Sequence, residues 1–68
     1  MDLNIEYEQE EDGRWLAELI GLPGVLAYGN TSDKAMIKGE ALALRVLAEK
    51  LEQEESRPQS ITISCIAA

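Results

Sequence analysis

The stretch "GLPGVLAYGNTSDKA", residues 21–35, decides how this chain folds, because it carries two breaks with a short apolar segment between them. Gly21, Pro23 and Gly24 make the first break. Proline fixes φ and withholds a ladder donor, and glycine permits turns that other residues resist, so a strand ends here and the chain reverses. "VLAYG", residues 25–29, predicts a short strand. Gly29, Asn30, Thr31 and Ser32 make the second break, which reads as a helix start: Thr31 or Ser32 is the N-cap, and Asp33 meets the positive end of the helix dipole. Lys34 stands where a capping box would place Glu or Gln, so the cap is incomplete.

Upstream, Leu3, Ile5 and Tyr7 alternate with Asn4, Glu6 and Glu8, the period of a half-buried strand. "EDG", residues 11–13, offers a glycine where a hairpin loop needs positive φ, and "RWLAELI", residues 14–20, is the returning strand. A three-residue loop pairs Glu10 with Arg14 and sets Ala17 opposite Tyr7 and Leu19 opposite Ile5, so the apolar sides coincide. A two-residue loop would turn Glu18 onto the core side, since a one-residue slip inverts every side chain. The three-residue loop is therefore the expected one, with Trp15, Ala17 and Leu19 facing inward. The other side then gathers Glu6, Glu8 and Glu18 beside Leu16 and Ile20.

Downstream, the helix is expected over residues 32–54, breaking before Pro58 in the connector "EESRPQS". "SITISCI", residues 60–66, alternates Ile61, Ile63 and Cys65 against Thr62 and Ser64 and predicts a fourth strand, with Cys65 as a small buried apolar residue. Strand, strand, strand, helix, strand defines one α+β domain over residues 1–68, of βββαβ type. A right-handed crossover makes the fourth strand parallel to the first and third, and the helix covers one face of a four-stranded mixed sheet.

The helix carries more apolar surface than one sheet needs. At 100° per residue, Ala35, Met36, Gly39, Leu42, Ala43, Val46 and Leu47 form one stripe, and Ile37, Ala41, Leu44, Ala48 and Leu51 form a second on the opposite side. At 1.5 Å per residue its 23 or so residues also reach roughly 34 Å, beyond the roughly 23 Å of a seven-residue strand. The second stripe is the expected contact between copies, in a homodimer or a larger oligomer. Size points the same way. A chain of 68 residues hides only about 60% of the surface its unfolded form exposes, and a single cysteine without any histidine excludes an intrachain disulfide or a Cys/His zinc site.

Thirteen acids against six bases give a net charge of −7. Such a chain opposes the counterion release that drives nucleic-acid binding and attracts basic proteins instead. No apolar run approaches the roughly 20 residues of a membrane span, and the acidic N-terminus lacks the basic flank of a signal peptide. With its lone thiol, the expected setting is the cytoplasm. No general base or set of converging carboxylates emerges, so neither catalysis nor a cofactor or metal is expected.

The ordered set "EDG" at Glu11 to Gly13, Trp15, Ala17, "LPG" at Leu22 to Gly24, Gly29, Thr31 and Ala35 resembles the N-terminal domain of the HicB family of type II antitoxins. The resemblance implies a partly ribonuclease H-like fold with strand order 3-2-1-4 that self-associates. It also implies neutralisation of a HicA toxin, a small basic protein that cleaves messenger RNA. Glu6, Glu8, Leu16, Glu18 and Ile20 are then the candidate contact with that toxin. Members of the family usually continue into a DNA-binding domain that this sequence does not include, so operator binding is not carried over. The alternative is a stand-alone oligomerising HicB-like module without a toxin.

Overall fold

The computed structural model describes residues 2–22, 24–54 and 60–68. It contains β1 (Asp2–Gln9), β2 (Trp15–Leu19), β3 (Leu26–Gly29), α1 (Ser32–Glu54) and β4 (Thr62–Ala67). The four strands form one sheet in the order β3-β2-β1-β4. β1 runs antiparallel to β2 and parallel to β4, and β2 runs antiparallel to β3. The expected βββαβ architecture is thus the observed one, and α1 has the bounds read from the sequence. The breaks assigned to Pro23 and Pro58 lie outside the described residues.

The hairpin loop sets the register. The Glu10 N–H donates to the Arg14 carbonyl at 2.7 Å and the Gly13 N–H to the Glu10 carbonyl at 3.0 Å, with Gly13 at φ 91°. That is a three-residue loop closing through a glycine. It places Tyr7 opposite Ala17 and Ile5 opposite Leu19. The next reversal uses two turns in succession. Gly21 and Gly24 are each the third residue of a four-residue turn and have φ of 88° and 84°. The turns close by Leu22 N–H to Leu19 carbonyl, 3.3 Å, and Val25 N–H to Leu22 carbonyl, 3.2 Å. Positive φ at that position selects glycine.

Helix α1 begins where the cap was expected. The Thr31 Oγ1 accepts the Lys34 N–H at 3.2 Å, and the Ala35 N–H donates to the Thr31 carbonyl at 3.1 Å, so Thr31 and not Ser32 is the N-cap. The stripe of Ala35, Gly39, Ala43 and Leu47 faces the sheet and is buried. Gly39 allows the close approach: a Cβ there would stand 3.0 Å from the Ala17 Cβ and 3.4 Å from the Ile5 Cγ2.

The resulting core is small. Ile5, Ala17, Leu19, Ala35, Ala43 and Leu47 are its buried apolar residues, and Ile5 is the one large side chain fully enclosed among the described residues. Leu3, Tyr7, Trp15, Leu22, Val25 and Ile63 close around it half-buried. Tyr7 and Trp15 pack against each other with ring centroids 6.3 Å apart, in keeping with their expected role as core and hairpin packing.

The helix packs on one face of the sheet as expected, chiefly over β3, β2 and β1, and one expectation needs correction. A helix about 10 Å across cannot roof four strands spaced about 4.8 Å apart. For that reason Cys65 is exposed and not buried. It pairs with Ile5 and so lies on the helix side of the sheet, but on an edge strand that the helix leaves open.

Candidate functional site

The outer sheet face, opposite α1, is built by strand registers. Glu6 stands opposite Glu18, and Glu8 opposite Leu16. β3 extends both rows, with Leu26 beside Glu18 and Tyr28 beside Leu16, and β4 sets Ile66 beside Glu6. One row across the sheet therefore reads Leu26, Glu18, Glu6, Ile66, and the next reads Tyr28, Leu16, Glu8. Ile20 continues the face past the end of β2, held by its N–H donating to the Asn4 carbonyl at 2.9 Å. The pleat brings all five residues singled out from the sequence, Glu6, Glu8, Leu16, Glu18 and Ile20, onto this one face.

The electrostatics of the face are one-sided. Glu8 and Glu18 are exposed and Glu6 is half-buried, and no ion pair among the described residues reaches any of them. Like charges directly opposite on neighbouring strands destabilise a sheet by a few tenths of a kcal/mol to about 1 kcal/mol. Around the acids stand apolar groups open to solvent: Ile20 at 44%, Ile66 at 46%, and Leu26 and Tyr28 close behind. Leu26, Tyr28 and Ile66 were missed by sequence reasoning. The signal was present in "LAYG", whose alternation sends Leu26 and Tyr28 to the side of Leu16 and Glu18 once β3 is paired with β2.

At the hairpin end Arg14 stands among Glu10, Glu11 and Asp12. Asp12 Oδ1 accepts the Arg14 N–H at 3.0 Å and Oδ2 accepts Arg14 Nε at 2.7 Å. These hold the Asp12 carboxyl below its ordinary range, first through the backbone N–H and then through the guanidinium. The Arg14 guanidinium lies over the Tyr28 ring, 4.4 Å from its centroid. With Lys34 and Lys38 of α1 it lines a shallow cavity beside Gly29 and Asn30.

The helix side presents a different surface. Ile37 and Leu44 are 68% and 51% exposed, Ala41 and Ala48 are exposed and Leu51 is half-buried. The second stripe is therefore the one facing away from the sheet. Between it and β4 lies a groove lined by Asp33, Met36, Ile37, Glu40 and Cys65. Partial burial and the neighbouring Glu40 carboxylate push the Cys65 thiol up from its ordinary value. Among the described residues no three His, Cys, Asp or Glu side chains are arranged to hold a metal ion. Among them, too, no helix is long and apolar enough to cross a membrane.

Comparison with protein-family models, with curated proteins and with solved structures finds no match to this chain.

Proposed function

We propose that this protein acts by occupying a small basic protein, of the HicA-like ribonuclease kind, on its outer sheet face, and that it transforms no substrate. The observation that carries the reading is the row Leu26, Glu18, Glu6, Ile66. Two carboxylates oppose each other across β1 and β2, with no cation among the described residues paired to them, and apolar residues flank them on both sides. That arrangement costs the isolated sheet stability. A partner with Lys or Arg centred on the pair and apolar contacts at its margins reverses the sign of that cost. The strand order β3-β2-β1-β4 agrees with the order that the HicB resemblance implies and supports the same reading. Glu6, Glu8 and Glu18 are spread along the pleat of a flat face, which suits contact with a protein better than the clustered ligands of a metal-dependent nuclease. The cytoplasm is the compartment in which such a partner would meet messenger RNA, and there an exposed thiol such as Cys65 stays reduced.

The test is co-expression with a short basic toxin-like chain, if one is encoded beside this one, followed by pull-down and a growth assay. Stable co-purification and rescued growth are expected, both lost in Glu6→Lys/Glu18→Lys. Failure of the wild type to bind or to rescue would leave the stand-alone module as the function.

A further inference from the structure

The outward stripe of α1 is spaced as a helix-pairing seam. Ile37, Ala41, Leu44, Ala48 and Leu51 follow one another at intervals of four, three, four and three residues. These are a and d positions over two heptads, an apolar seam turned to one side of the helix. A helix that only roofs its own sheet needs no apolar stripe on its far side. We infer that the stripe is a self-association seam, in which α1 of a second copy of this chain lies parallel to the first with Ile37, Leu44 and Leu51 as the large interlocking side chains. The inference goes beyond the proposed function and does not rest on it, since the outer sheet face stays free.

Charge on either side of the seam selects both the occupant and its direction. With Ile37, Leu44 and Leu51 at the d positions of the heptad, Asp33 and Glu40 fall at g, and Lys38 and Arg45 at e. In a parallel pair each g side chain reaches the e side chain five residues on in the other helix. Asp33 then meets the partner's Lys38 and Glu40 meets the partner's Arg45, and the twofold axis repeats both contacts. An antiparallel pair would set acid against acid and base against base. The flanks are visible in the fold: Asp33 and Glu40 border the groove beside β4, and Lys38 borders the cavity beside β3.

Because α1 is already ordered on its own sheet, pairing incurs no cost of helix formation.

The experiment is sedimentation with a charge swap across the seam. The wild type is expected at about 15 kDa, twice its 7.5 kDa, and Leu44→Glu at the monomer mass with an unchanged far-ultraviolet spectrum. Glu40→Arg alone and Arg45→Glu alone should each weaken the dimer roughly tenfold, from two symmetry-related pairs turned repulsive. The double variant should recover wild-type affinity. Direction is read by mild oxidation of Ile37→Cys in a Cys65→Ser background, which should give a covalent dimer, because a parallel seam places position 37 beside its own copy whereas an antiparallel one sets it against the far end of the stripe. A wild type that stays monomeric at several hundred micromolar overturns the inference and leaves the stripe to a partner of another sequence. So does a double variant no tighter than the singles. A dimer in which Ile37→Cys forms no crosslink overturns the parallel arrangement.

Discussion

At the scale of single residues, this fold separates groups that stabilise it from groups that the fold itself leaves unsatisfied. Asp12 belongs to the first kind. Its carboxylate accepts both the Arg14 backbone N–H and the guanidinium, so the folded hairpin favours the charged form. The folded pKa is depressed, hence the contribution is complete above the ordinary value of 3.8 and is lost as pH falls through the lower folded value. A titration followed by NMR should place the Asp12 midpoint below that ordinary value, and Arg14→Gln should return it part of the way, because the backbone donor remains. An Asp12 midpoint unmoved by the substitution would show that the guanidinium contact is absent in solution. Glu6 and Glu18 belong to the second kind, and their sharing of a face was legible from the alternation of β1 and β2 alone. Cys65 was not legible in this way. Alternation with Ile61 and Ile63 tells which side of the sheet a residue takes, and says nothing of whether another layer reaches that side.

Among elements, the punctuation in residues 21–35 fixed most of what was readable. It placed the second reversal, the short β3 and the cap of α1, each through a residue whose backbone or side chain admits few alternatives. The role of Gly29 was hidden, because the demand comes from another element. A Cβ at Gly29 would stand 2.5 Å from the Ala35 nitrogen and 2.9 Å from the Lys34 carbonyl carbon, so β3 ends pressed against the first turn of α1. Gly29→Ala must push these elements apart and should cost about 1–3 kcal/mol, as overpacking does. For a domain of this size that lowers the melting temperature by roughly 5–20 °C. Thr31→Ala removes only the cap and should cost about 1 kcal/mol. Thermal melts of the two variants check the order, and a Gly29→Ala protein as stable as Thr31→Ala would contradict the tight junction. The width of α1 against four strands was the other unreadable quantity. Helical periodicity distinguishes the two stripes, but only the assembled sheet shows that β4 lies beyond the helix.

The whole molecule is a thin two-layer body, 42 × 17 × 17 Å in extent, whose charge is unevenly distributed. Bases at Arg14, Lys34 and Lys38 gather at the β3 edge, while Glu6, Glu8 and Glu18 share the outer sheet face within a net charge of −7. Exposed carboxylates act over about a Debye length, roughly 8 Å at physiological salt, and so govern how fast a basic partner arrives more than how long it stays. On the proposed reading, residence of such a partner rests on Leu16, Ile20, Leu26 and Ile66, which act only on contact. Reversal of charge in Glu6→Lys/Glu18→Lys should therefore reduce the association rate constant steeply at low salt and much less at high salt. Ile20→Ala should instead speed dissociation with little change in association. Both are measured by stopped-flow mixing with the basic partner across a salt series. If the charge-reversed protein associates as fast as the wild type at every salt concentration, the partner does not approach the outer sheet face. The contact then belongs on the helix side, where it would compete with the seam between copies.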